Sequence, residues 1–230
     1  VTGVQTCALP IWFGGQLSPR VYAVYDLAPN WTLKGGVSTG YKTPKTTDLY
    51  DGITGFGAQG TVPFVGNPDL QPETSVNSEV ALYWTAPDGG HNFNITAFRN
   101  DFKDKIDSGE TTLSCEQTGG VRPCVNLGDF GLLGYGTYAQ RINIDEAKIR
   151  GVEVAGRYRI AEPLSLRANY TYTDSEQTTG PNAGQPLAQS ARHMANATLD
   201  WTLSDAVSLQ LTTESRSRRF RNAVDADGNL

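Results

Sequence analysis

The sequence predicts an all-β protein, part of a transmembrane antiparallel β-barrel of which about eight strands are present. Three observations carry that expectation. Side chains alternate apolar and polar over segments of about ten residues, very short connections alternate with very long ones, and the large aromatic residues of the apolar phase fall beside the short connections.

Composition sets the frame. The chain has 230 residues with 19 Lys plus Arg against 24 Asp plus Glu and a net charge of -5, so it lacks the basic footprint of a nucleic-acid binder. A hydrophobic fraction of 38%, a mean hydropathy of -0.38 and the absence of any run of eighteen apolar residues exclude a transmembrane helix. Barrel strands, apolar on one side only, are compatible with all three.

The short connections are Ala28-Pro29-Asn30, Pro87-Asp88-Gly89-Gly90, Ala161-Glu162-Pro163 and Ser204-Asp205-Ala206. The long ones run from about Lys42 to Thr74, Lys103 to Tyr138, Asp174 to Arg192, and onward from Arg216. Loops this long are uncommon inside compact soluble domains, whereas a barrel keeps short turns at one rim and long loops at the other. The segment from Tyr138 to Ile160 reads as one long strand, because a turn at Asp145-Glu146-Ala147 would put the next short connection at the wrong rim.

Every second residue gives the apolar sets Val21, Ala23, Tyr25, Leu27; Leu33, Gly35, Val37, Thr39; Val76, Val80, Leu82, Trp84; Val152, Val154, Gly156, Tyr158, Ile160; and the corresponding series to Leu211. The other phase carries Lys34, Asn77, Glu79, Glu153, Arg157 and Arg167, which suits a polar lumen. Leu82 stands near the middle of its outward phase, and about ten residues at a 40° tilt cross a 25 Å apolar band, which brings Arg150 to the outer rim. Tyr25, Trp31, Trp84, Tyr158 and Trp201 lie on the apolar phase near short turns, as an aromatic girdle at one interface requires; Tyr41 and Tyr172 are candidates for the opposite girdle. One strand fits badly: Phe93, Ile95 and Ala97 lead to Arg99, so a bulge handing the outer face to Phe98 is expected. The rival architecture is a soluble, glycan-binding β-sandwich with the charged face in solvent, and a passive porin is the rival within the membrane.

At Gly40-Tyr41-Lys42-Thr43-Pro44 followed by Leu49-Tyr50, at Gly66-Asn67-Pro68-Asp69-Leu70-Gln71-Pro72-Glu73-Thr74-Ser75 and at Asn143-Ile144-Asp145-Glu146-Ala147-Lys148-Ile149-Arg150-Gly151-Val152-Glu153, the sequence resembles TonB-dependent outer-membrane receptors, over about Ser18 to Arg216. It is most similar to the ferric-siderophore receptors of the enterobactin and colicin-receptor type. The resemblance implies a barrel of about 22 strands with short periplasmic turns and long extracellular loops, closed around an N-terminal plug and placed in the bacterial outer membrane. It also implies import of ferric siderophores, energised by TonB through a box on the plug. The plug is expected to be missing from this chain, so that residues 13–230 form an internal part of the barrel that is inactive alone. Residues 1–12, which match neither strand phase nor family, read as a non-native leader.

Candidate sites follow from that placement. Cys115 and Cys124 at an oxidising cell surface read as a disulfide clipping a long loop, with a pair of free thiols as the alternative. Tyr50, Phe56 and Phe64 on a Gly-rich loop could stack on the catechol rings of a chelate, and Arg122 could meet its negative charge; internal packing of the loop is the plainer reading of the rings. Arg216, Arg218, Arg219 and Arg221 at the end of a strand are candidates for lipopolysaccharide phosphates in the outer-membrane lipid. With two histidines, no nucleophile motif and no phosphate-cradling loop, no enzyme, cofactor or metal is expected.

Overall fold

The computed structural model describes residues 13–111, 114–121, 124–127, 138–179 and 183–219. Ten strands follow in order: β1 (Arg20–Ala28), β2 (Trp31–Lys42), β3 (Ile53–Gly57), β4 (Val62–Val65), β5 (Glu73–Thr85), β6 (His91–Thr111), β7 (Tyr138–Ala161), β8 (Leu164–Gln177), β9 (His193–Ser204) and β10 (Val207–Arg216). Eight of them form one antiparallel wall in the order β1-β2-β5-β6-β7-β8-β9-β10, so neighbours in that wall are joined by the connections read from the sequence. β3 and β4 are a small hairpin off this path.

The short connections hold because their residues suit tight turns. In the β5–β6 turn the Asp88 carboxylate accepts the Gly90 N–H at 3.1 Å, and Gly89 takes a φ of 67° that glycine adopts without penalty. Arg159, on the neighbouring hairpin, also pairs with Asp88. The Gly90 amide, and then the Arg159 guanidinium, hold the Asp88 carboxyl below the usual carboxylate range.

The long strand from Tyr138 is continuous to Ala161, without a turn at Asp145. Two expectations fail. β6 does not end near Lys103; it runs to Thr111 and pairs with β7 from His91↔Tyr158 out to Thr111↔Tyr138. Beyond the wall this ribbon no longer has hydrocarbon along one side, so the apolar alternation that marks a strand in the wall vanishes from Lys103-Asp104-Lys105 onward. Nor is there a bulge at Arg99, because β5 and β6 keep one register from Thr74↔Lys103 to Thr85↔Asn92. Arg99 therefore stays on the apolar phase, beside Ser78 and opposite Arg150.

The sheet has no second layer among the described residues, which removes the sandwich. Trp31, Trp84 and Phe93 pack on one another on its open face, with ring centroids 5.5 to 6.3 Å apart, and Trp201 is 42% exposed. The buried apolar cluster lies instead in the loops at the outer end, where Val65, Val125, Leu127 and Tyr138 meet Ile53. Residues 1–12, read as a leader, lie outside the described residues.

Candidate functional site

The loop between β2 and β5, expected only as a long connection, is folded down onto the ribbon. β4 pairs with β7 in parallel, Phe64↔Ala139 and Val65↔Gln140, and the Gln140 side chain donates to the Gly66 carbonyl at 2.9 Å. The Gly66–Ser75 motif then forms a clasp. Asn67 donates to the Arg141 carbonyl at 3.0 Å, and its own Oδ1 accepts the Asp69 N–H at 3.0 Å. Asn143 makes the closing contact: its Oδ1 accepts the Gln71 N–H at 2.8 Å, while its Nδ2 donates to the Gln71 carbonyl at 2.9 Å and to the Asp104 carbonyl at 2.6 Å. Leu70 is 1% exposed between these bonds. Glu73 finishes the clasp by accepting the Ile106 N–H at 3.2 Å and pairing with Lys42 at 3.6 Å. The motif that carries the resemblance is thus a structural tie, its polar residues satisfying loop backbone rather than presenting to a ligand. Asn143 shows in the sequence only as the first residue of a family motif; its role does not, because an amide within a long polar strand carries no periodic signal.

The clasp leaves three rings outside. Tyr50, Phe56 and Phe64 are 61%, 44% and 46% exposed. Tyr50 and Phe64 lie over glycines, for a Cβ on Gly52 would stand 2.9 Å from the Tyr50 ring and one on Gly57 2.7 Å from the Phe64 ring. Cys115 and Cys124 are joined, their Cα atoms 4.8 Å apart, and Val125 beside them is fully buried in the loop cluster. Arg122 lies outside the described residues.

The polar face of the wall carries Lys34, Asn77, Glu79, Glu153, Arg157 and Arg167 on inward positions of β2, β5, β7 and β8. Several are tied sideways across strands: Tyr22 donates to Glu79 at 2.5 Å, Lys34 stands 4.4 Å above the Tyr83 ring, and Asp200 accepts from Arg167 at 2.9 Å and from Gln210 at 2.8 Å. Asn77 donates to Ser75 at 3.4 Å, and Arg157 faces Arg167 across the β7–β8 pair. No three His, Cys, Asp or Glu side chains gather to hold a metal among the described residues. Of the arginine run, Arg216 is opposite Met194 on this polar face and pairs with Glu214 at 3.4 Å, so it does not point outward; Arg221 lies outside the described residues.

The girdle residues do not share one hydrogen-bonded row. The row through Tyr25 runs Leu33, Leu82, Ile95, Val154, Tyr170, Ala195. Trp84 is two residues nearer the short turns than that row, Tyr158 four and Trp201 six, by 84 − 82, 158 − 154 and 201 − 195. For these three the displacement is one residue per strand crossed, while Trp31, one strand from Tyr25, is two residues down, in the row of Trp84. With about 3.3 Å per residue and about 4.8 Å between strands, a line through these rings is level if the strands tilt by about 35°, which is the tilt of transmembrane barrels. A belt of rings belongs at one membrane interface only in a wall tilted in this way.

A family model described as TonB dependent receptor-like, beta-barrel, matches residues 8–229, beginning inside the segment read as a leader. The iron-regulated outer membrane virulence protein of Vibrio cholerae is 41% identical over 210 residues, covering 91% of this chain and 30% of that protein. The ferric enterobactin receptor of Pseudomonas aeruginosa is 30% identical over 223 residues, covering 94% of this chain and 28% of that protein. Among solved structures, the siderophore receptor PirA from Pseudomonas aeruginosa matches with a TM-score of 0.67 at 25% identity, over 90% of this chain and 35% of the other. A mutant ferric enterobactin receptor of the same organism, in complex with enterobactin, matches with a TM-score of 0.65 at 27% identity, over 91% and 29%. The chain therefore spans about a third or less of these relatives, which are outer-membrane receptors and not enzymes. On its tilted wall, its clasped outer loop and the span of the family match, the chain belongs to the TonB-dependent receptors of the bacterial outer membrane, as part of their β-barrel.

Proposed function

We propose that the receptor built on this wall captures a ferric siderophore at its outer loops and imports it with energy delivered by TonB through a plug held in the polar lumen. The observation that carries the reading is the loop from Lys42 to Glu73: its backbone is tied to β6 and β7, yet Tyr50, Phe56 and Phe64 face outward. Rings held in place this way lose little freedom on binding, and they offer flat faces to catechol groups. Arg122, in the disulfide loop, supplies a guanidinium for the negative charge of the chelate. The relatives named for enterobactin support a catecholate as the first probe. The lumen face, with Glu79, Glu153, Arg157 and Arg167, is the surface for the plug.

The test uses the full-length receptor. Binding of ferric enterobactin is followed by quenching of tryptophan fluorescence in the wild type and in a variant carrying Tyr50→Ala, Phe56→Ala and Phe64→Ala. The variant is expected to bind at least tenfold more weakly at unchanged outer-membrane abundance; equal affinity would refute the loop assignment. Uptake of radioactive iron on the same chelate is expected to cease in cells lacking TonB. Persistent uptake there would favour the passive porin.

A further inference from the structure

At the outer end of the wall the two faces balance charge differently. Counted from the level aromatic line, which crosses β6 near Asn92, Arg99 stands seven residues up and Arg150 eight, by 99 − 92 and 158 − 150. On the lipid face these two are matched one to one: Asp101 grips Arg99 with two contacts of 2.8 Å, and Asp174 holds Arg150 at 2.9 Å. One residue higher, nine from the line by 201 − 192, the lumen face carries Arg192. At about 2.7 Å of height per residue in a strand tilted about 35°, that is about 24 Å, the outer mouth of the lumen.

The face of Arg192 follows from the register. The Thr173 N–H donates to the Arg192 carbonyl at 2.9 Å, one step beyond the Tyr172↔His193 pair, and Ala191 bridges to Arg219, so Thr173, Arg192 and Arg218 stand in one row. Thr173 is two residues from Thr171, the lumen-phase partner of Glu153. Just beyond the ends of β9 and β10, Arg192 and Arg218 therefore face each other, an arrangement that is repulsive unless an anion lies close by. They line a recess of about 310 Å³ together with Thr173, Ser175, Ser190 and Ser217. Among the described residues no carboxylate lines it: Asp174 is 3.6 Å from Arg192 but committed to Arg150, and Arg218 has no ion-pair partner. Two of the hydroxyls are engaged, Ser175 accepting the Leu187 N–H at 3.2 Å and Ser217 the His193 N–H at 3.1 Å, while those of Thr173 and Ser190 are free to donate. The Leu187 bond, with that from the Gln177 N–H to the Gln185 carbonyl at 2.9 Å, pins the β8–β9 connection against β8, so the recess is formed before a ligand arrives.

We propose that this recess binds a small oxyanion at the mouth of the lumen, with its oxygens between the Arg192 and Arg218 guanidiniums and the Thr173 and Ser190 hydroxyls donating to it. Guanidinium forks match paired oxygens, and the unbalanced charge of the row supplies the attraction. The volume stands at the lower end of the range of small-molecule sites, and a row that faces the lumen is out of reach of membrane lipid. Two sources supply this chemistry, a catecholate arm of a ferric chelate and inorganic phosphate, and only the first rests on the function proposed above.

Purified full-length receptor in detergent is titrated with inorganic phosphate, read by phosphorus NMR, and with ferric enterobactin, read by tryptophan fluorescence. Arg192→Gln with Arg218→Gln is expected to weaken phosphate binding at least tenfold, while Arg99→Gln, on the lipid face, leaves it unchanged. Trimethyl phosphate, similar in shape and without charge, is expected not to bind the wild type, a comparison that does not depend on how the double variant folds. A parallel loss for ferric enterobactin names the chelate as the occupant; an unchanged affinity for it, beside lost phosphate binding, names the free anion. The assignment is overturned by equal phosphate binding in the wild type and a folded double variant, or by equal binding of phosphate and its trimethyl ester. It is overturned equally by a wild type that binds no phosphate, the result expected if an acidic side chain of the plug fills the recess. A receptor that binds phosphate here but not ferric enterobactin counts against the catecholate reading and leaves the recess standing.

Discussion

Alternate residues of one set of strands face two surroundings, and the two faces handle charge in opposite ways. Between the aromatic line and the Arg99–Arg150 row, the apolar face is free of charged side chains: β5 gives Leu82 and Val80, β6 Ile95 and Ala97, β7 Val154 and Val152. At the same heights the other face carries Lys34, Glu79, Glu153 and Arg167. What differs is the alternative open to each charge. On the lumen side a charge can stay wet or reach a neighbour across the sheet, as Arg167 reaches Asp200, whereas on the lipid side it must wait until the strand has climbed to the headgroups. Charge is therefore placed by face and height together, and composition alone conveys neither.

The sharpest way to break the comparison is one substitution read on both faces. Val80, half exposed, is four residues above the aromatic line on β5, about 11 Å and close to the middle of the band. Leu82, which the sequence places near the middle, is only two residues up once the tilt is included. In the complete receptor refolded into lipid vesicles, Val80→Arg is expected to cost about 2 to 4 kcal/mol in denaturant unfolding. Asn77→Arg, on the lumen face of the same strand, is expected to change stability by less than about 0.5 kcal/mol. Equal losses would mean that the two faces are not different solvents.

Adjacent glycines sharpen the contrast. A Cβ on Gly36, facing the lumen, would stand 2.6 Å from the Val21 carbonyl and 2.7 Å from the Tyr22 ring, while one on Gly35, facing lipid, would find its nearest neighbour at 3.4 Å. Gly36→Ala is expected to destabilise by about 1 to 3 kcal/mol, because a strand backbone and a ring fixed by its bond to Glu79 must both give way. Gly35→Ala is expected to be neutral or to stabilise by up to about 1 kcal/mol through the unfolded chain. Both are read as unfolding midpoints in the same vesicles.

The wall was legible in the sequence because hydrocarbon on one side and water on the other impose a period of two over every crossing strand. Its ends were less so. From Lys103 outward neither side of the β6–β7 ribbon meets hydrocarbon, so the strand continues without its signal, and Arg99 looked misplaced only while its height was reckoned without the slip of one residue per strand. The hairpin of β3 and β4 is too short and too rich in glycine for a period to show. In the outer loops the clasping residues were visible as a family motif, but their work was not: the side chains of Asn67 and Asn143 bond the backbone of Arg141 and Gln71, more than seventy residues away. Propensity and alternation are local and do not reach that far.

A weaker test concerns the lateral ties of the lumen. Arg167 and Asp200 remain 54% and 33% exposed, so their mutual attraction is screened. Arg167→Gln is expected to lower the unfolding midpoint only slightly, and less as salt is raised. A larger, salt-insensitive loss would show that this pair is shielded from water in the assembled receptor, as it would be beneath a plug.

The smallest expected effect lies at the periplasmic turn, which belongs to neither face. Asp88 has its carboxyl held below the usual range by the Gly90 amide and by Arg159. A carboxyl lowered on folding contributes stability above its unfolded pKa, and that contribution fades as pH falls through the lowered folded value. Asp88→Asn is therefore expected to lower the unfolding midpoint of the β5–β6 turn slightly at neutral pH, with the gap from wild type closing below about pH 4. Hydrogen exchange of the Gly90 amide across that range reads it directly. A gap that widened with acid would place the carboxylate in a hostile setting, and with it the assignment of this end of the wall to water.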